Sequence, residues 1–173
     1  MKHKNNIILI GFMGSGKSAV GKELARKLQY DYIDMDTLIE RQSGKTISEL
    51  FAISESYFRS WEATICKSFQ NKTKCIISTG GGIVTQPKLM ESILNIGHLI
   101  YLEASVETIY KRVKNHSHRP LLNTEAPLDT ICEILNKRKG LYESYASHTI
   151  NVDTLSIQEI SDKIIDNYDF ING

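Results

Sequence analysis

The chain has little cysteine and proline, no long apolar run, and almost no net charge. Its three cysteines, Cys66, Cys75 and Cys132, stand far apart in 173 residues, with no C-x-x-C pair and no Cys/His cluster. That excludes a disulfide scaffold or a zinc finger and leaves reduced cysteines acting as small apolar side chains. His116 and His118 lie close together, but with no further ligand types beside them they read as loop residues, not a metal site. Apolar runs such as Ile7–Ile10 and Leu99–Leu102 fall far short of the ~18 residues that a membrane span needs. Residues Met1–Asn6 are polar, unlike the apolar stretch of a secretion signal, so a cytoplasmic protein is expected. With 21 Lys and Arg against 20 Asp and Glu, the net charge of +1 creates no general field for nucleic acid or an anionic membrane. Any anionic ligand must be held by local placement.

Hydrophobic residues at 41% and charged residues at 24% match an ordinary globular domain, and no linker or repeat divides residues 1–173. Short apolar segments alternate with helical patterns, the mark of βαβ units around a parallel sheet. Strands are expected at Asn6–Gly11, Tyr30–Asp34, Lys74–Ser78, His98–Leu102 and Thr149–Val152. Helices are expected over Lys17–Leu28, Thr37–Gln42, Ile47–Phe51, a stretch through Phe58, Trp61, Ile65 and Phe69, a segment after Pro87, Val106–Lys114, Leu128–Ala146, and a last one through Ile157, Ile160 and Ile164. The polar stretch Asn115–Ala126 reads as a loop. Five strands with intervening helices give a three-layer α/β domain.

Gly11-Phe12-Met13-Gly14-Ser15-Gly16-Lys17-Ser18 fits G-x-x-x-x-G-K-[ST] between a predicted strand and a predicted helix. Glycines there let backbone N–H groups face a phosphate, the helix N-terminus adds partial positive charge, Lys17 reaches the outer phosphates, and the Ser18 hydroxyl suits Mg²⁺. This is a nucleoside triphosphate site. The strand Cys75–Ser78 runs into Thr79 and three glycines, not the metal-binding acid of a motor ATPase, and no guanine-specific N-K-x-D occurs. Carboxylates appear instead at Asp34 and Asp36, at the strand edge where open α/β sheets bind ligands. One could serve the metal and the other a substrate hydroxyl, or the pair could simply cap the next helix.

Gly80-Gly81-Gly82 suggests close backbone approach to a ligand. The stripe Leu128, Ile131, Leu135, Arg138, Tyr142, Tyr145 is spaced 3, 4, 3, 4, 3, which turns Arg138 toward the protein body. Such a guanidinium needs an anionic partner, either a ligand or an internal carboxylate; Arg59 beside its own apolar stripe admits the same two readings. Lys111–Leu122, with Lys111, Arg112, Lys114 and Arg119, is either a solvated basic loop or a lid that closes an arginine onto a phosphate.

Taken in order, Gly11–Ser18, Asp34-Met35-Asp36, Phe58-Arg59, Thr79–Gly82, Arg119-Pro120-Leu121-Leu122, Arg138 with Leu141-Tyr142, and Val152-Asp153-Thr154 make the chain similar to the shikimate kinase family over nearly its whole length. The resemblance implies a three-layer α/β/α P-loop kinase fold of nucleoside monophosphate kinase type, with a five-stranded parallel sheet of order 2-3-1-4-5. It also implies a substrate-binding region about 34–62 and a lid about 112–124. The implied activity is ATP-dependent phosphorylation of the 3-hydroxyl of shikimate, on the path to chorismate and the aromatic amino acids, by a cytoplasmic monomer without nucleic-acid or membrane partners.

By the same resemblance Asp36, Lys17 and Arg119 are catalytic. Gly14, Ser15, Gly16, Lys17, Ser18, Ala19, Arg119, Asp153 and Thr154 bind ATP, and Asp36, Arg59, Gly81, Gly82 and Arg138 bind shikimate. Mg²⁺ is held by Ser18 directly and by Asp34 through water. The chain departs from the family pattern at Ala19, where Thr is frequent, and at Lys139-Gly140, where a proline is common. A different small-molecule P-loop kinase, such as a gluconate kinase, and a nucleotide-sensing module without catalysis are the two competing readings.

Overall fold

A computed structural model describes residues 5–114 and 126–167. Its elements, in order, are β1 (Ile7–Ile10), α1 (Lys17–Leu28), β2 (Asp31–Asp34), α2 (Met35–Ser43), α3 (Ile47–Ile53), α4 (Glu55–Ser68), β3 (Cys75–Ser78), a 3₁₀ turn (Ile83–Thr85), α5 (Pro87–Leu94), β4 (His98–Glu103), α6 (Val106–Val113), α7 (Pro127–Tyr145), β5 (His148–Asn151) and α8 (Ile157–Asp166). The strands form one parallel sheet in the order β2-β3-β1-β4-β5, with Ile7 opposite both Ile76 and His98. This is the expected sheet.

Because successive strand residues point to opposite faces, the Ile/Leu run of β1 feeds two cores at once. Ile8 and Ile10 join Met35, Ile39, Phe58 and Ile65 of α2 and α4 on one face. Ile7 and Leu9 join Val20 and Leu24 of α1, Ile109 of α6, and Ile160 and Ile164 of α8 on the other. Helix α7 serves both, placing Ile131 and Leu135 in the second core and Tyr142 in the first.

Capping accounts for most boundary differences. Asp34 accepts from Thr37 N, so α2 starts at Met35 and not at Thr37; Ser54 accepts from Tyr57 N, so α4 starts at Glu55, ahead of Phe58. Helices α3 and α8 each carry a full capping box, from Thr46 with Glu49 and Ser156 with Glu159. The stripe of α7 fails at its start, where Leu128 is 44% exposed and no described residue covers it. Cys66 and Cys75 are buried and none of the three cysteines is bridged, as read from their spacing; burial pushes the Cys66 thiol up to about 12. No described helix is long and apolar enough to cross a membrane.

Candidate active site

The turn from β1 into α1 is built around backbone N–H groups. Gly14 and Gly16 take φ of 75° and 99°, which L side chains rarely adopt, and a Cβ on Gly14 would come within 2.7 Å of Val113. Gly16 is also the N-cap of α1, and no side chain occupies that cap, so the first amides stay open to an anion. Lys17 is nearly buried, and its Nζ donates to the carbonyls of Gly11 at 2.7 Å and Phe12 at 2.9 Å, folding the ammonium over the loop.

A cleft of about 340 Å³ opens over this turn and is lined by the P-loop, Asp34, Asp36, Thr79, Gly81 and Arg112. The Ser18 hydroxyl donates to Asp34 Oδ2 at 2.9 Å, and Tyr32 donates to the same oxygen at 3.1 Å. Asp34 Oδ1 meanwhile caps α2. The capping reading of the Asp-x-Asp pair thus holds for Asp34, which caps the start of α2 with one oxygen and faces Ser18 with the other. A hydroxyl and one carboxylate suit Mg²⁺, which keeps several waters and takes its remaining ligands from phosphates. Among the described residues no three His, Cys, Asp or Glu converge on a metal.

Asp36 stands in the first turn of α2 with its Oδ1 buried and unpartnered. Burial, then the neighbouring Asp34 and Glu62 carboxylates, push it up to about 6, against the pull of Lys17. A carboxyl with that affinity is suited to orient a hydroxyl and take its proton near neutrality.

Arg59 and Arg138 resolve differently. Arg59 is held by two carboxylates, Nη1 to Glu62 Oε2 at 2.8 Å and Nη2 to Glu55 Oε1 at 2.9 Å, while its guanidinium lies against Gly82. Arg138 has no carboxylate partner among the described residues; its Nη1 donates to Gly81 O at 3.4 Å and the guanidinium sits 5.9 Å over the Phe12 ring. Its inward stripe position thus ends at the triglycine turn. Gly81 itself packs on the P-loop, where an added Cβ would lie 3.2 Å from Met13 N. Arg59, Gly82 and Arg138 border the cleft through Gly81 without lining it.

Asp153 is placed elsewhere: its Oδ1 accepts from Ser105 N at 2.9 Å, tying the loop after β5 to the start of α6, and Thr154 is exposed beside it. Neither lines the cleft. Arg119, the rest of the basic segment 115–125, and His116 and His118 lie outside the described residues.

Two residues take positions that the sequence does not assign them. Glu62 is completely buried, with Oε2 bonded to Arg59 and to Gln86 Nε2 at 2.6 Å, and with Oε1 unpartnered; burial pushes its carboxyl up despite Arg59. Its spacing from Phe58 and Ile65 puts a charge at an apolar position, the same signal that marked Arg138. Arg112 donates through Nη1 to Gly14 O and Ser15 O, each at 3.1 Å, and so braces the P-loop. The sequence counts it only with the basic segment Lys111–Leu122.

A P-loop on a 2-3-1-4-5 sheet, with a buried carboxylate and two arginines beyond the phosphate end, defines a P-loop kinase acting on a small molecule. The shikimate kinase family model matches residues 13–169. The chain belongs to that family. It is 42% identical to a shikimate kinase of Thermodesulfovibrio yellowstonii over 169 residues, 97% of each chain, and 40% identical to that of Pelotomaculum thermopropionicum over 92% of this chain and 93% of the other. Shikimate kinase from Acinetobacter baumannii in complex with shikimate superposes with a TM-score of 0.89 at 33% identity, covering 93% of this chain and 90% of that one.

Proposed function

We propose that this chain transfers the γ-phosphoryl group of ATP to the 3-hydroxyl of shikimate, giving shikimate 3-phosphate and ADP. The observation that carries the reading is Asp36, a buried carboxylate with one free oxygen, in one cleft with Lys17 and the open cap of α1. In this reading Asp36 accepts the hydroxyl proton and aims the oxygen, and Lys17 leaves the Gly11 and Phe12 carbonyls to neutralise charge on the phosphates. Amides of residues 14–19 cradle the nucleotide. Ser18 binds Mg²⁺ and Asp34 holds it through water; the ion, once bound, neutralises phosphate charge. Arg119 is proposed as the second phosphate clamp, and Asp153 and Thr154 as neighbours of the adenine. Arg59, Gly82 and Arg138 bind the substrate around Gly81, the arginines meeting its carboxylate. The enzyme is proposed to act as a cytoplasmic monomer, with residues 34–62 as substrate-binding region and 112–124 as lid.

A coupled assay for ADP release tests this: release that requires shikimate supports it, release that requires gluconate supports the other kinase, and release with neither supports a sensing module. Arg138 is the cleanest single residue to vary, because its loss strands no buried carboxylate. Arg138→Ala should raise the KM for shikimate roughly tenfold to a hundredfold, the worth of a hydrogen bond to a charged group, with ADP affinity by titration unchanged. An unaltered KM would remove Arg138 from the site.

A further inference from the structure

Tyr142 is fully buried on α7, and a phenol hydroxyl that deep must find an acceptor or cost stability. Its acceptor is Gly81 O, the carbonyl that Arg138 also reaches. The ring has no freedom to swing away, since it stacks on Tyr101 of β4 with centroids 4.9 Å apart and planes 14° off parallel. On its other side Gly81 rests against the P-loop at Met13 N. We propose that the Tyr142 hydroxyl is a positioning group for acceptor binding: by fixing Gly81 O it fixes the direction of the next amide, Gly82 N–H, toward the substrate.

The link is covalent geometry. Gly81 C=O and Gly82 N–H belong to one planar trans peptide, so holding the carbonyl on α7 aims the N–H the opposite way. Among the described residues nothing accepts from that N–H, and the Arg59 guanidinium lies against the same glycine, where a Cβ would meet Nη2 at 2.9 Å. One peptide thus has its acceptor end saturated and its donor end open beside an arginine, the arrangement a polyol carboxylate needs. A phenylalanine would fill the same core space and stack on Tyr101 equally well. Only the hydroxyl distinguishes positioning from packing. Burial pushes the phenol up to about 12, so the donor proton stays in place throughout the working pH range.

The inference rests on the shikimate reading, and the unaltered protein is the control for it: no shikimate-dependent ADP release from that protein would overturn both. Given such release, Tyr142→Phe should raise the KM for shikimate about fivefold to tenfold, with kcat changed less than about threefold and ADP affinity unchanged. Tyr101→Leu, which loosens the same stack while leaving the hydroxyl, should lower the melting temperature yet move that KM less than about twofold. Placing 4-aminophenylalanine at position 142 keeps ring and donor and should restore the KM even if Tyr142→Phe folds poorly. An unchanged KM in Tyr142→Phe, an equal rise in Tyr101→Leu, or no recovery with the amino analogue would each overturn the role.

Discussion

Asp36→Asn is expected to lower turnover by about 10²–10⁴-fold while leaving ADP affinity intact, because it removes the proton acceptor and none of the phosphate contacts. The same substitution should make the ligand-free protein more stable at neutral pH. The carboxyl is raised from 3.8 to about 6 by burial and by Asp34 and Glu62, so the folded state binds its proton more tightly than the unfolded chain does. The stability this group lends is complete below about pH 4 and is lost as pH rises to 6 and beyond, a difference of roughly 3 kcal/mol at most. Asn escapes that loss. Its melting temperature at pH 7 should therefore exceed that of the unaltered protein by several degrees, and the gap should close toward pH 4. In the active protein the ionised form must accept the hydroxyl, so kcat/KM for shikimate should fall as pH drops through about 6. Turnover within tenfold of normal in Asp36→Asn, or a flat profile between pH 5 and 7, would refute the acceptor role.

Lys17→Met should reduce kcat by about 10²–10³, the usual loss when one preorganised donor is removed from a transition state. Methionine keeps the apolar stem in the buried path and deletes only the ammonium that now spans the Gly11 and Phe12 carbonyls. A second reading follows from the same charge. Lys17 pulls Asp36 down, so its loss should move the acid limb of kcat/KM to higher pH. A kcat drop below tenfold, with the acid limb unmoved, would mean that the ammonium serves only to hold the loop shut.

The chemistry was more legible in the sequence than its supports. The P-loop, Asp34 and Asp36 follow from local spacing and a strand edge, and the inward turn of Arg138 from helical period alone. Sheet order came through resemblance, since no local pattern says which strand lies between which. The roles of Glu62 and Tyr142 are hidden for a common reason: a partner that defines each belongs to another part of the chain. Gln86 reaches Glu62 from 24 residues away and Tyr142 reaches Gly81 from 61. Arg59 is legible as a cation beside an apolar stripe, but its pairing with Glu55 and Glu62 is not, because charges one helical turn apart occur equally on exposed helix faces. For Asp153 the sequence offers resemblance alone, and the structure adds that its carboxylate accepts from Ser105 N and fastens the start of α6.

Gly81, wedged between the P-loop and α7, sets a length. The P-loop at Met13 and the α7 side chains Arg138 and Tyr142 are separated there by the thickness of a single peptide. If phosphate and polyol bind on the two sides proposed above, a compound that joins a phosphate mimic to a cyclic polyol has to match that one dimension.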